Sequence, residues 1–171
     1  MRIVAGQFRG RRLALPSDRR VRVTTERVRE AWLSILTPFL DGSHVLDLFA
    51  GSGVLGLEAL SRGAVSADFV DLSRASVRAI RANAAALQVE ESVRVHHGDA
   101  LRFVARPDIN SYDIAFADPP FSTDQAVRLT DEFKTRPFAS ILTIEHRSSL
   151  DLPGGETRRY GDIALTLFHS P

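Results

Sequence analysis

The chain has 171 residues, of which 44% are hydrophobic and 25% charged, with a net charge of +1 and no cysteine. That is the size and composition of one soluble globular unit, and no apolar run reaches the roughly 20 residues needed to cross a bilayer. Without cysteine, disulfides, thiolate metal sites and covalent thiol catalysis are excluded, the last being what methylation of a pyrimidine ring carbon through an adduct requires.

The first residues, Met1-Arg2-Ile3-Val4-Ala5-Gly6, lack the long apolar stretch and small-residue cleavage site of a secretory signal, so a cytoplasmic protein is expected. Charge is unevenly placed. Arg2, Arg9, Arg11, Arg12, Arg19, Arg20, Arg22, Arg27 and Arg29 stand in the first thirty residues against Asp18, Glu26 and Glu30, and Lys134 is the sole lysine of the chain. Arginine makes two-pronged phosphate contacts and stacks on bases, so this clustering predicts a nucleic-acid-binding segment. Two short strands, Arg2 to Ala5 and Arg11 to Leu15, are expected to pair through turns at Gly6 and Gly10. Thr25 to Leu36 predicts an amphipathic helix with Val28, Trp32, Ile35 and Leu36 on one stripe, Thr24 or Thr25 as cap, and Pro38 beyond its end. Residues 1 to 40 thus read as a basic hairpin and helix added to a core of residues 41 to 171.

From Val45 onward, short apolar runs alternate with helical patterns, the mark of βαβ units and a parallel sheet. Strands are predicted near 45 to 49, 67 to 72, 92 to 96, 112 to 117 and 140 to 145. Ser73 should cap a helix over 74 to 87 whose stripe is Val77, Ile80, Ala84 and Leu87, and a less regular helix over 123 to 135 uses Val127, Leu129 and Phe133. Two last strands around Gly161-Asp162, within 157 to 168, should form an antiparallel hairpin at the sheet edge. The whole is an α/β, Rossmann-like arrangement with a mostly parallel seven-stranded sheet.

Three segments fall at the carboxyl ends of predicted strands, the edge where open α/β sheets bind ligands. The first, Asp47-Leu48-Phe49-Ala50-Gly51-Ser52-Gly53, is a glycine turn entering a helix, whose free N–H groups would favour a carboxylate or phosphate. Gly51, Gly53 and Gly56 also match the dinucleotide fingerprint, and Asp71 at the end of the next strand, followed by Leu72, is placed for ribose hydroxyls. On this loop alone NAD and S-adenosylmethionine remain open; Asp47, an acceptor for a methionine ammonium, favours the latter. In the second, His96-His97-Gly98-Asp99-Ala100, Asp99 could accept the amine of adenine or simply cap a helix. The adjacent histidines face opposite ways on a strand, poor metal geometry, and are assigned no role.

The third segment is Asp118-Pro119-Pro120-Phe121, after the apolar strand Ile114 to Ala117. The prolines remove two donors and stiffen the turn, which leaves carbonyls and one carboxylate, a site built to receive an amine. An exocyclic base amine is a weak nucleophile because its lone pair is delocalised into the ring. Accepting its protons at Asp118 and at the Pro119 carbonyl would favour a pyramidal nitrogen in attack on a sulfonium methyl, with Phe121 stacked on the base. This chemistry requires no metal and no covalent intermediate.

These segments resemble those of the RsmD-type bacterial 16S rRNA guanine-N2-methyltransferases across nearly the whole chain. The cofactor segment, with Phe49, Ala50, Gly51 and Gly53 after Asp47, and the Asp118-Pro-Pro-Phe121 loop also occur in other amine methyltransferases. Arg2 to Gly6, Arg9 to Leu13 and Thr24 to Glu30 are the more specific match. The resemblance implies methyl transfer from S-adenosylmethionine to the 2-amino group of one guanine, of the guanine 966 type, in 16S rRNA of the small subunit or its assembly intermediate. It implies cofactor contacts by Asp47, Phe49, Ala50, Gly51, Gly53, Asp71, Leu72, Asp99 and Ala100, and RNA contacts by Arg2, Arg9, Arg11, Arg12, Arg22, Thr25, Arg27 and Arg29. A monomer with no membrane or metal partner is expected. The competing readings are a DNA adenine methyltransferase and a non-enzymatic NAD-binding, RNA-associated module.

Overall fold

The computed structural model describes residues 1–17, 24–109 and 111–171. The N-terminal hairpin is present but held by one antiparallel bridge, between Arg2 and Arg12, in place of two extended strands. The reason lies in competing acceptors. Ile3 and Leu13 N–H pair across the hairpin with the Arg11 and Met1 carbonyls, but Val4 N–H donates to Glu58 Oε1 at 2.6 Å, Gln7 N–H to the Ser61 carbonyl at 2.7 Å and Phe8 N–H to Ser61 Oγ at 2.9 Å, so the backbone around Gly6 is stitched to a helix instead of extending the ladder.

Helix α1 spans Glu26–Leu40, capped by Thr25, whose hydroxyl oxygen accepts from Val28 N–H. It therefore runs past Leu36 and through Pro38. A proline in the last turn removes only the bond to the Ser34 carbonyl, which an exposed position leaves to water, while burial of Leu36 and Leu40 holds the turn in place. Trp32, fully buried, donates Nε1–H to Thr143 Oγ1 at 2.7 Å and meets Phe116 edge-on with ring centres 5.9 Å apart.

The core continues β1 (His44–Leu48), α2 (Val54–Ser61), β2 (Ser66–Asp71), α3 (Arg74–Leu87), β3 (Val93–His97), α4 (Ala100–Val104), β4 (Tyr112–Ala117), α5 (Gln125–Thr135), β5 (Ala139–Arg147), β6 (Glu156–Tyr160) and β7 (Ile163–His169). α3 has the expected bounds, and Ser73 caps it by accepting from Ser76 N–H. α5 starts two residues later than expected and buries Ala126, Leu129, Thr130 and Phe133, leaving Val127 outside. The seven strands form one sheet in the order β3-β2-β1-β4-β5-β7-β6. The pairs among β1 to β5 are parallel, and β7 runs antiparallel between β5 and β6.

The central strands alternate side chains between two cores. Val45, Phe69, Ile114, Phe116 and Ile141 face a cluster built with α1, α2 and α3. Leu46, Leu48, Val70, Ala115 and Leu142 face one built with α4 and α5. Because β2 and β3 extend one way from β1, and β4 and β5 the other, the order reverses between β1 and β4. That is where a crevice opens in such sheets.

Candidate functional site

A cavity of about 660 Å³ lies at this reversal, and it is lined by the segments that follow β1, β2, β3 and β4. Asp47, Phe49, Ala50, Gly51, Asp71, Leu72, Asp99, Ala100, Asp118, Pro119, Pro120 and Phe121 all border it, although they span seventy-five positions of sequence. Gly53 stands just behind, as the left-handed N-cap of α2 with φ of 78°.

The loop after β1 is tightly wound. Phe49 takes φ of 58°, a left-handed conformation that is unfavourable for an aromatic residue, and Gly51 takes the same value. Its amides are engaged within the protein: Gly51 N–H donates to Asp71 Oδ2 at 2.8 Å, Gly53 N–H to the Ala50 carbonyl at 2.7 Å and Gly56 N–H to Asp47 Oδ2 at 2.9 Å. These three amides are thus taken up inside the protein, two of them by the carboxyl groups of Asp47 and Asp71. Gly56 serves packing, since a Cβ there would lie 2.4 Å from the Phe69 ring.

What faces the cavity is carboxylate. Asp47 is buried, and burial first, then the charges of Asp118 and Asp71, push its carboxyl well above the usual carboxylate range against the opposing bond from Gly56. Asp71 Oδ1 also accepts from Ser73 N–H at 2.8 Å. Leu72 is 68% exposed, an apolar side chain presented to the opening. Asp99 is the cap of α4, its Oδ1 accepting from Arg102 N–H at 2.8 Å, so the plainer of its two expected roles is the one observed. His96 pairs with Asp68 and His97 with the Leu72 carbonyl. Among the described residues, no group of three or more such side chains is arranged to hold a metal ion, and no helix is long and apolar enough to cross a membrane.

The tetrapeptide after β4 forms the opposite wall. Pro120's carbonyl accepts from both the N–H and the hydroxyl of Thr123, which folds the loop back on itself. Asp118 Oδ2 accepts from the Thr24 hydroxyl at 2.7 Å. Arg147, at the end of β5, places its guanidinium 5.7 Å from the centre of the Phe121 ring. Neither Thr24 nor Arg147 is expected at the site from sequence: the pattern offers Thr24 only as a helix cap, and no motif surrounds Arg147.

The N-terminal arginines divide. Arg2, Arg9, Arg12 and Arg27 are exposed, as is Thr25; Arg11, also exposed, donates to the Ala86 carbonyl. Arg29 corrects the expectation of an RNA contact. It is 1% exposed, its Nε lies 3.6 Å from the buried Glu58 carboxylate, and its Nη2 donates to the Arg2 carbonyl, so its charge is held inside the fold. Arg22, with Arg19 and Arg20, lies outside the described residues.

Sheet order, crevice and the proline-stiffened loop define the class, a Rossmann-like S-adenosylmethionine-dependent methyltransferase fold. The chain belongs to the family described as conserved hypothetical protein 95, the RsmD-type methyltransferases, whose family model matches residues 1–157. It is 33% identical over 171 residues to YlbH of Bacillus subtilis (strain 168), an alignment covering 97% of this chain and 91% of YlbH. It is 42% identical over 121 residues to ribosomal RNA small subunit methyltransferase D of Escherichia coli (strain K12), with 71% of this chain and 60% of that protein covered. The solved structure of a hypothetical protein from Thermus thermophilus matches with a TM-score of 0.86 at 31% identity, covering 99% of both chains.

Proposed function

We propose that this protein transfers a methyl group from S-adenosylmethionine to the exocyclic 2-amino group of a guanine in 16S rRNA, on the small ribosomal subunit or an assembly intermediate. The observation that carries the cofactor reading is the set of carboxylates around the cavity: Asp47, Asp71, Asp99 and Asp118, with the loop amides engaged internally. A pyrophosphate would meet negative charge there, whereas a ligand with an ammonium and a sulfonium meets its complement. This favours S-adenosylmethionine over NAD. RNA is favoured over DNA by family membership, since a curated relative is named for ribosomal RNA of the small subunit. Such a substrate is met in the cytoplasm.

S-adenosylmethionine supplies, when bound, a methyl group on positively charged sulfur. Asp47 holds the ammonium. Asp71 and Asp99 retain acceptor capacity beside their backbone bonds, because a carboxylate offers about four lone-pair sites, and so can take ribose hydroxyls and the adenine amine. Leu72 covers the adenine face. Across the cavity, Asp118 and the Pro119 carbonyl accept the two protons of the guanine amine. Those bonds would orient the nitrogen toward the methyl group and counter the positive charge that develops there; as the N–C bond forms and the S–C bond breaks, the sulfur leaves as a neutral thioether and the surplus amine proton would pass to the Asp118 carboxylate. Phe121 stacks on the extruded base, and the exposed arginines Arg2, Arg9, Arg12 and Arg27 hold phosphates.

The decisive measurement is labelled methyl transfer to small subunits, naked 16S rRNA and DNA, with mapping of the modified nucleotide. Asp118→Ala is expected to bind S-adenosylmethionine normally and to lose transfer by about a thousandfold, as when a donor or acceptor aimed at developing charge is removed. Undiminished transfer in that variant would falsify the role given to Asp118.

A further inference from the structure

We infer that Thr24 is a positioning residue for the acceptor site, which rests on the reading of Asp118 given above. Its hydroxyl donates to Asp118 Oδ2 at 2.7 Å across ninety-four positions of sequence, and both side chains border the cavity. Thr24 is buried and does not cap α1; that role belongs to Thr25. Its hydroxyl therefore has a job that the helix itself does not require.

The need for such a bond follows from the torsions of Asp118. Two prolines stiffen the backbone after it, and its N–H lies 3.5 Å from the Leu48 carbonyl, so the main chain is constrained. The terminal torsion of an aspartate, by contrast, has a broad well, and a carboxylate that rolls within it does not present one oxygen reliably to an amine proton. Fixing Oδ2 sets the direction of Oδ1. The donor is itself on a firm base, because α1 is pinned to the sheet by the Trp32 bond to Thr143 and by its edge contact with Phe116, two residues before Asp118. Thr24 thus joins the N-terminal segment, with its exposed arginines, to the group that orients the acceptor amine. A hydroxyl bond to a carboxylate is charge-assisted.

The test uses full-length protein with single-turnover methyl transfer to small ribosomal subunits. Thr24→Val should slow transfer about tenfold to a hundredfold, the scale expected for a misplaced catalytic group, while affinities for S-adenosylmethionine and for subunits change by less than about twofold. Thr24→Ser keeps the hydroxyl and should stay within about threefold of wild type. Added to Asp118→Ala, Thr24→Val should slow transfer no further, because the group it positions is already gone. Wild-type rates in Thr24→Val, equal losses in the valine and serine variants, or a loss that is undiminished on the Asp118→Ala background would each overturn the inference. If Asp118→Ala is too slow to follow, the contrast between valine and serine decides. Wild-type rates in Asp118→Ala would instead remove the acceptor-site reading, and the role of Thr24 with it.

Discussion

Asp47 carries the sharpest consequence at the scale of single residues. Its carboxyl is raised by burial, so the ligand-free protein holds a proton there to a higher pH than an unfolded chain does. For a carboxylate with a raised folded-state pKa, the associated stability is fully present below the unfolded value of 3.8 and is lost as pH rises through the folded value. Binding an ammonium requires the ionised form. Affinity for S-adenosylmethionine should therefore be full above the raised pKa and fall as pH is lowered through it. Asp47→Asn should bind about tenfold or more weakly above that pKa, and titration calorimetry across pH should find its affinity flatter. A variant with unchanged affinity and unchanged pH dependence would remove Asp47 from the ammonium site. Asp47, Asp71 and Asp118 are recognisable in sequence because each ends an apolar strand. Thr24 and Arg147 are not: the bond from Thr24 joins residues that only the fold brings together, and Arg147 ends a strand with no motif after it.

Among elements, the hairpin and α2 illustrate how local signals are overridden. Glycines at 6 and 10 do make turns, with φ of 80° and 82°, but the hairpin residues around Gly6 donate to Glu58 and Ser61 instead of forming a ladder. A Cβ at position 6 would lie 1.8 Å from the Ser61 carbonyl oxygen, whereas one at position 10 meets nothing within 4 Å. Gly6→Ala should accordingly cost roughly 3 kcal/mol or more of unfolding free energy, and Gly10→Ala only about 1 kcal/mol, measured by denaturant unfolding. Equal costs at the two positions would show that the hairpin is not held on α2 as described. Pro38 is a misleading stop signal for the same reason that tertiary contacts outweigh propensity: the apolar face of α1 continues to Leu40, and the core rewards its burial.

For the whole molecule, the question is how a chain of net charge +1 holds a polyanion while its reaction cavity is lined by carboxylates. Exposed arginines lie on the N-terminal segment, which borders the cavity through Met1, Leu15, Pro16 and Thr24, while the aspartates stand at the carboxyl edge of the sheet. Arg9→Ala and Arg12→Ala should each weaken binding to RNA and reduce the slope of log affinity against log salt by about 0.7 to 0.9, while leaving affinity for S-adenosylmethionine alone. Arg29→Ala should behave differently and lower stability, because it leaves Glu58 buried without that partner. An unchanged salt slope in the Arg9 and Arg12 variants would place the RNA elsewhere. The positions of the core strands, the mostly parallel sheet and the terminal hairpin were determined by sequence alone, because hydrophobic periodicity and glycine or proline punctuation are local properties of the chain. Tertiary structure alone decided which arginines face solvent, which loop amides remain available, and which hydroxyl holds the acceptor carboxylate. Those depend on contacts between residues far apart in the chain, and such contacts leave no periodic trace in it.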